Sequence, residues 1–171
     1  QTDRKGNFYW QEVLDVLKTM KEEIITFPGK AIEKARLINN FLVLLMFCSC
    51  TPSRNLDFTR LQIADFRQGE QSNDWEKKDS NYIVLESDGQ VVLKIYCFKT
   101  KSTYGSTIID ITHIDYLVKY ITIFIDQHRV RLLGGNNHKF LFVKNSGQPF
   151  SSSADFSAYL GRVFEPYTQG L

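Results

Sequence analysis

A chain of 171 residues that is 43% hydrophobic and 23% charged can bury one core, which excludes a disordered tail or a low-complexity linker. A net charge of +2 is too small to announce a nucleic-acid partner by itself. The odd cysteine count (Cys48, Cys50, Cys97) and the lack of a secretory leader argue against a disulfide framework and for a reducing, intracellular compartment, nuclear in a eukaryote or cytoplasmic in a prokaryote.

The chain begins with Gln1, not Met, and we read it as an excerpt of a longer polypeptide that forms a single domain over 1–171. Apolar spacing predicts an amphipathic helix over about Trp10–Ile25, with Val13, Leu17, Met20 and Ile24 on one face, stopped by Phe27-Pro28-Gly29. A second helix, about Ala31–Cys48, is apolar all round and should lie centrally. Its run Phe41–Cys48 is far too short to span a membrane, so no membrane partner is expected. A turn at Thr51-Pro52-Ser53 precedes a short third helix, capped by Ser53 or Asn55 and ending near Gln62.

A polar surface loop covers about 68–80, and its Trp75 either makes an exposed contact or, as is commoner for such a residue, folds back onto the body. Tyr82–Leu85, Val91–Phe98 and Thr107–Ile111 follow as a three-stranded antiparallel meander, the first turn at Asp88-Gly89. A helix over about Ile114–His128, the loop Gly134-Gly135-Asn136-Asn137, a short buried Phe140–Val143, a Ser146-Gly147 turn and a helix from Ser153 that Pro166 ends complete the chain. The fold class is α+β, mostly helical.

Charge is distributed unevenly. Gly89–Ile109 holds Lys94, Lys99 and Lys101 with no acid, and Gln127–Ala154 holds Arg129, Arg131, Lys139 and Lys144 with no acid. These stretches are either solvated surface or one phosphate-neutralising face. Metal and hydrolase chemistry find no support: His113, His128 and His138 lack ligand spacing and read as surface or capping residues, Cys48 and Cys50 frame one residue with no second pair, and there is no GxSxG elbow or phosphate-binding glycine pattern. Neither metal nor cofactor is expected.

Arg54 carries more information. It follows a long apolar helix and a proline turn, with Asp57, Leu61 and Asp65 at +3, +7 and +11. A guanidinium at a helix start can hold a phosphate bidentately, although such an arginine is more often structural.

The stretch from Thr51 to Asp65 resembles the first arginine box of the tyrosine recombinases, the phage-integrase family, R-x-x-D/E-x-x-x-L-x-x-x-D after an apolar helix. The resemblance implies that Arg54 is a catalytic phosphate-binding arginine and Asp57 its supporting acid. Phe98-Lys99-Thr100-Lys101, before Thr107–Ile111, is similar to the hairpin whose lysine protonates the leaving 5′ oxygen. That implies Lys99 as the catalytic lysine, with Lys101 the fallback and a DNA contact. Gly147-Gln148-Pro149-Phe150-Ser151 and the helix after it look like the approach to the family's H-x-x-R box.

The likeness spans nearly the whole chain, but no H-x-x-R, second arginine or later nucleophilic tyrosine follows, and Tyr167 precedes the place where the box would stand. The resemblance therefore implies a truncated tyrosine-recombinase-like catalytic core, inactive alone, from an enzyme of DNA recombination or integration in a mobile element. Its partner would be double-stranded DNA, on which the full-length protein self-associates as a tetramer, with Arg129, Arg131, Lys139 and Lys144 as DNA contacts. The alternatives are a catalytically inactive DNA-binding or architectural relative and an α+β interaction domain that matches by coincidence.

Overall fold

The computed structural model describes residues 10–50, 58–69, 74–96 and 106–168. Helix α1 spans Trp10–Thr26 and buries Val16, Met20 and Ile24, one residue per helical turn, while Val13 and Leu17 border that stripe half-buried. Helix α2, Ala31–Ser49, buries Ala35, Ile38, Phe41, Leu42, Val43, Leu45 and Met46, so it takes the central position that its apolar circumference predicts. Cys48 and Cys50 at its end are free thiols, and burial pushes Cys50 up to about 11.

The one polar residue sunk into α2 is Asn39. Its Nδ2 donates to Val143 O at 3.1 Å and to the Tyr159 hydroxyl at 3.3 Å, and its Oδ1 accepts from Val143 N at 3.4 Å. The side chain thus treats Val143 as a neighbouring strand would, which satisfies a buried amide that would otherwise cost about 1–3 kcal/mol.

Strands β1 (Leu61–Asp65), β2 (Asn81–Leu85), β3 (Val91–Ile95) and β4 (Thr107–Asp110) form one sheet in that order. The pairs β2–β3 and β3–β4 are antiparallel, as expected, with the turn at Gly89 (φ 90°). The expected three-stranded meander is corrected by β1, which pairs parallel to β2 and makes the sheet four-stranded and mixed. The expected third helix is corrected too: Phe58 and Thr59 are helical, but Leu61 and Gln62 belong to β1, and the cap candidates Ser53 and Asn55 lie outside the described residues.

The physical reason is two-sided burial at period two. Leu61 and Ile63 face the main core, whereas Ala64 and Phe66 join Tyr82, Val84, Tyr96, Trp75 and Val92 in a second cluster on the other face. Trp75 folds back as expected, meeting Phe66 and Tyr82 edge-on at 5.0 and 5.1 Å. On the outer edge of β1, Ile63 N donates to Lys139 O at 2.7 Å and Leu141 N to Leu61 O at 2.8 Å, so 139–141 caps that edge.

Helix α3 (Asp115–Ile123) runs through a π-helical turn (Phe124–His128) into α4 (Arg129–Leu133), five residues past the predicted end. Gly134, at φ 56°, then terminates it as a left-handed cap. Helix α5 is Ser153–Thr168 and passes through Pro166 instead of ending there. Packing on both sides of the proline offsets a penalty of about 3 kcal/mol: Phe156 and Tyr159 are buried, and beyond it the Tyr167 hydroxyl donates to Glu23 at 2.7 Å. No helix among the described residues is long and apolar enough to cross a membrane.

Candidate functional site

Arg54, Asp57, Lys99 and Lys101 lie outside the described residues, but the chain on either side of them is described. Sheet register aligns Leu61 with Asn81, Asn81 with Ile95, and Ile95 with Thr107. These four residues form one row at one end of the sheet. The segment holding Arg54 enters the sheet at this row through Phe58–Arg60, and the segment holding Lys99 leaves it through Tyr96. Leu61 and Ile95 are two strand spacings apart, about 10 Å.

Both segments depart from fixed points. Cys50 and Phe58, which bracket 51–57, are buried, and the Phe58 ring meets Phe47 edge-on at 5.3 Å. Arg60 donates to Phe150 O at 2.7 Å and lies over the Phe140 ring at 4.5 Å, tying the base of the Arg54 segment to the Gly147–Ser151 turn. Tyr96, one residue past the β3 ladder, is buried; its N–H donates to Asn81 Oδ1 at 2.9 Å and its hydroxyl donates to Glu76.

The four described basic candidates divide into two kinds. Arg129 is half-buried and donates to His138 O at 2.8 Å and to Phe140 O at 2.9 and 2.6 Å, so its fork serves main-chain carbonyls; burial holds its pKa below the ordinary arginine value. Lys144 pairs with Asp155 at 3.0 Å. The Asp155 carboxyl is held below the usual carboxylate range, first by the Ser151 N–H and then by Lys144. Arg131 and Lys139 are exposed, Arg131 donating to the Gln127 carbonyl of its own helix. These two side chains are open to solvent.

His113 is exposed, whereas His128 and His138 are half-buried. His138 Nε2 sits 2.9 Å from Gly147 O, and its Nδ1 accepts from Phe140 N at 3.2 Å. His128 Nδ1 is buried with no hydrogen-bond partner among the described residues, and its pKa is lowered by burial first, then by Arg131 and Lys34. The described residues hold no metal-binding group of three or more His, Cys, Asp or Glu.

A groove of about 990 Å³ runs between α1, α2, the 144–150 turn and α5, with Glu12, Asp15 and Glu23 on the α1 wall and Arg162 and Tyr167 opposite. Burial raises the pKa of Tyr159, and burial together with the Glu23 hydrogen bond raises that of Tyr167. Sequence reading missed Asn39, Arg60, Glu76, Asn81 and Tyr96, because each acts through a partner distant in the chain. The local signal was no more than an amide next to the apolar run of α2 for Asn39 and an amide at the start of β2 for Asn81. No family model, curated protein or solved structure matches this chain.

Proposed function

We propose that the chain is the front part of a tyrosine recombinase catalytic domain that breaks and rejoins double-stranded DNA through a 3′-phosphotyrosyl intermediate. The nucleophile and the H-x-x-R box belong to the C-terminal continuation of the protein, which assembles on DNA as a tetramer. In this reading Arg54, supported by Asp57, stabilises the negative charge that grows on the phosphoryl oxygens. The tyrosine oxygen bonds to phosphorus, the bond from phosphorus to the 5′ oxygen breaks, and Lys99 gives that oxygen its proton. Lys101, Arg131 and Lys139 neutralise neighbouring phosphates.

The observation that carries the reading is the Leu61–Asn81–Ile95–Thr107 row. An arginine and a lysine that lie 45 positions apart in sequence must reach one phosphate, and the chain segments that bear them join the sheet at the same end, about 10 Å apart.

The test is covalent adduct formation by the full-length protein on a nicked suicide duplex. The full-length protein should form the adduct and the 171-residue chain should not. Arg54→Ala should lower the rate by about 10²–10³ while leaving DNA binding in place. Lys99→Ala should slow cleavage, and a 5′-bridging sulfur, whose departure needs no proton, should restore it. A full-length protein that binds DNA and never forms an adduct would sink the enzyme reading and assign the chain to a DNA-binding or architectural relative.

A further inference from the structure

We propose that α1 joins copies of this chain head to tail: an exposed ridge on one flank of the helix seats in the groove beside the other flank of a second copy. Trp10, Leu14, Lys18, Lys21 and Ile25 recur at three- and four-residue spacing, so they form one row along the helix, about 22 Å long at 1.5 Å per residue. The row is turned away from the buried Val16, Met20 and Ile24. Trp10 is 59%, Leu14 38% and Ile25 67% exposed, and both lysines are exposed. Single apolar residues on a surface are ordinary, but a row of them along one helix marks a contact surface. Neither lysine has an ion-pair partner among the described residues, so the ridge sets two free cations between its apolar ends.

The groove between α1 and α5 has the complementary character. Val16, Leu37, Phe150 and Val163 give it apolar lining, and carboxylates stand on its α1 wall. Asp15 and Glu23 are hydrogen-bonded by neutral groups, the Gln11 amide at 3.1 Å and the Tyr167 hydroxyl at 2.7 Å, so both keep their charge; Glu12 stands beside them. Of the cations that line the groove, Lys144 is already paired with Asp155, and only Arg162 has no acid partner among the described residues. The groove is therefore net negative where the ridge is positive, and its volume of about 990 Å³ accommodates several side chains. Asp15, Thr19 and Glu23 lie across the buried stripe of α1 from the ridge, so a chain cannot fill its own groove. Two ridges face to face would set lysine against lysine. A ridge in a neighbour's groove pairs opposite charges and covers apolar surface on both sides. Each chain then gives its ridge to one neighbour and its groove to another. The contact needs no DNA and stands apart from the recombinase reading.

The test is the mass of the 171-residue chain by light scattering over a concentration series at low salt. The wild type should rise from the mass of one chain to that of two and beyond, and added salt should move the rise to higher concentration. Lys18→Glu with Lys21→Glu spoils the ridge, and Asp15→Lys with Thr19→Lys spoils the groove. All four side chains are exposed. Each double variant alone should stay at one chain where the wild type associates. Mixed in equal amounts, the two should associate again, because the intact ridge of one meets the intact groove of the other. Where a reversal does not fold, Lys18→Gln with Lys21→Gln, and Asp15→Asn, carry the same comparison. A wild type that stays at one chain throughout would overturn the contact. So would either double variant associating as the wild type does, or a mixture that stays at one chain.

Discussion

Gly147 shows how much one residue can specify. Its φ is 85°, a region that favours glycine, and a Cβ there would stand 2.5 Å from both Asn136 Nδ2 and Leu133 O. We expect Gly147→Ala to lower unfolding free energy by about 1–3 kcal/mol, read by urea denaturation. A loss under about 0.5 kcal/mol would mean that the turn relaxes at little cost. The Ser146-Gly147 turn was legible in the sequence because glycine's role is local. Asn39 was not, since a polar residue in an apolar helix looks like an interruption until Val143, 104 positions away, is seen to need it.

At the scale of elements, Arg129 separates a fold role from a DNA role. Its fork holds the carbonyls of His138 and Phe140, the segment that caps the β1 edge. Arg129→Gln should therefore cost about 1–3 kcal/mol of stability, in thermal or urea unfolding, through unsatisfied carbonyls. Lys139→Glu should leave stability unchanged, weaken duplex binding and flatten its dependence on salt. Unchanged unfolding in Arg129→Gln would return that arginine to the DNA-facing set. Reversing Lys144 is a poorer test of DNA binding, because it also removes the partner of Asp155 at the start of α5.

The same scale explains what patterning could and could not reveal. α1, α2 and the β2–β3 hairpin were readable because their apolar periods or turn residues are self-contained. β1 was misread because a Leu at +7 from Arg54 fits a helix as well as a strand, and only its pairing with β2 decides. Pro166 misled for a related reason: a local penalty was weighed without the tertiary contacts that exceed it.

Over the whole molecule, pH should act in two steps. His128 has a folded pKa below 6.5, so its unfolded form takes up a proton first and stability falls as pH drops below about 6.5. Asp65 is held below 3.8, mainly by the Arg67 hydrogen bond, so its contribution is present above about 4 and is lost at lower pH. The Tm should be level between pH 6.5 and about 8, decline gently from 6.5 to pH 4 and then decline steeply, and His128→Gln should remove only the step between 6.5 and 4. A Tm that still declines between pH 6.5 and 4 in His128→Gln would assign that step to other groups. For the candidate site, sequence reading named Arg54 and Lys99 as candidates, whereas the row at which the described chain beside them meets the sheet exists only once the parallel β1–β2 pair is known.

The bond between Asn39 and Val143 also has a consequence in time. During synthesis at about 5–20 residues per second, the 104 residues that separate them take roughly 5–20 s to emerge. Throughout that interval α2, the longest of the described helices and the one with the most buried apolar residues, has left the ribosome without the segment that will cover it. A newborn chain must therefore shield this helix on a holding chaperone, or leave it loosely collapsed, until its last third arrives.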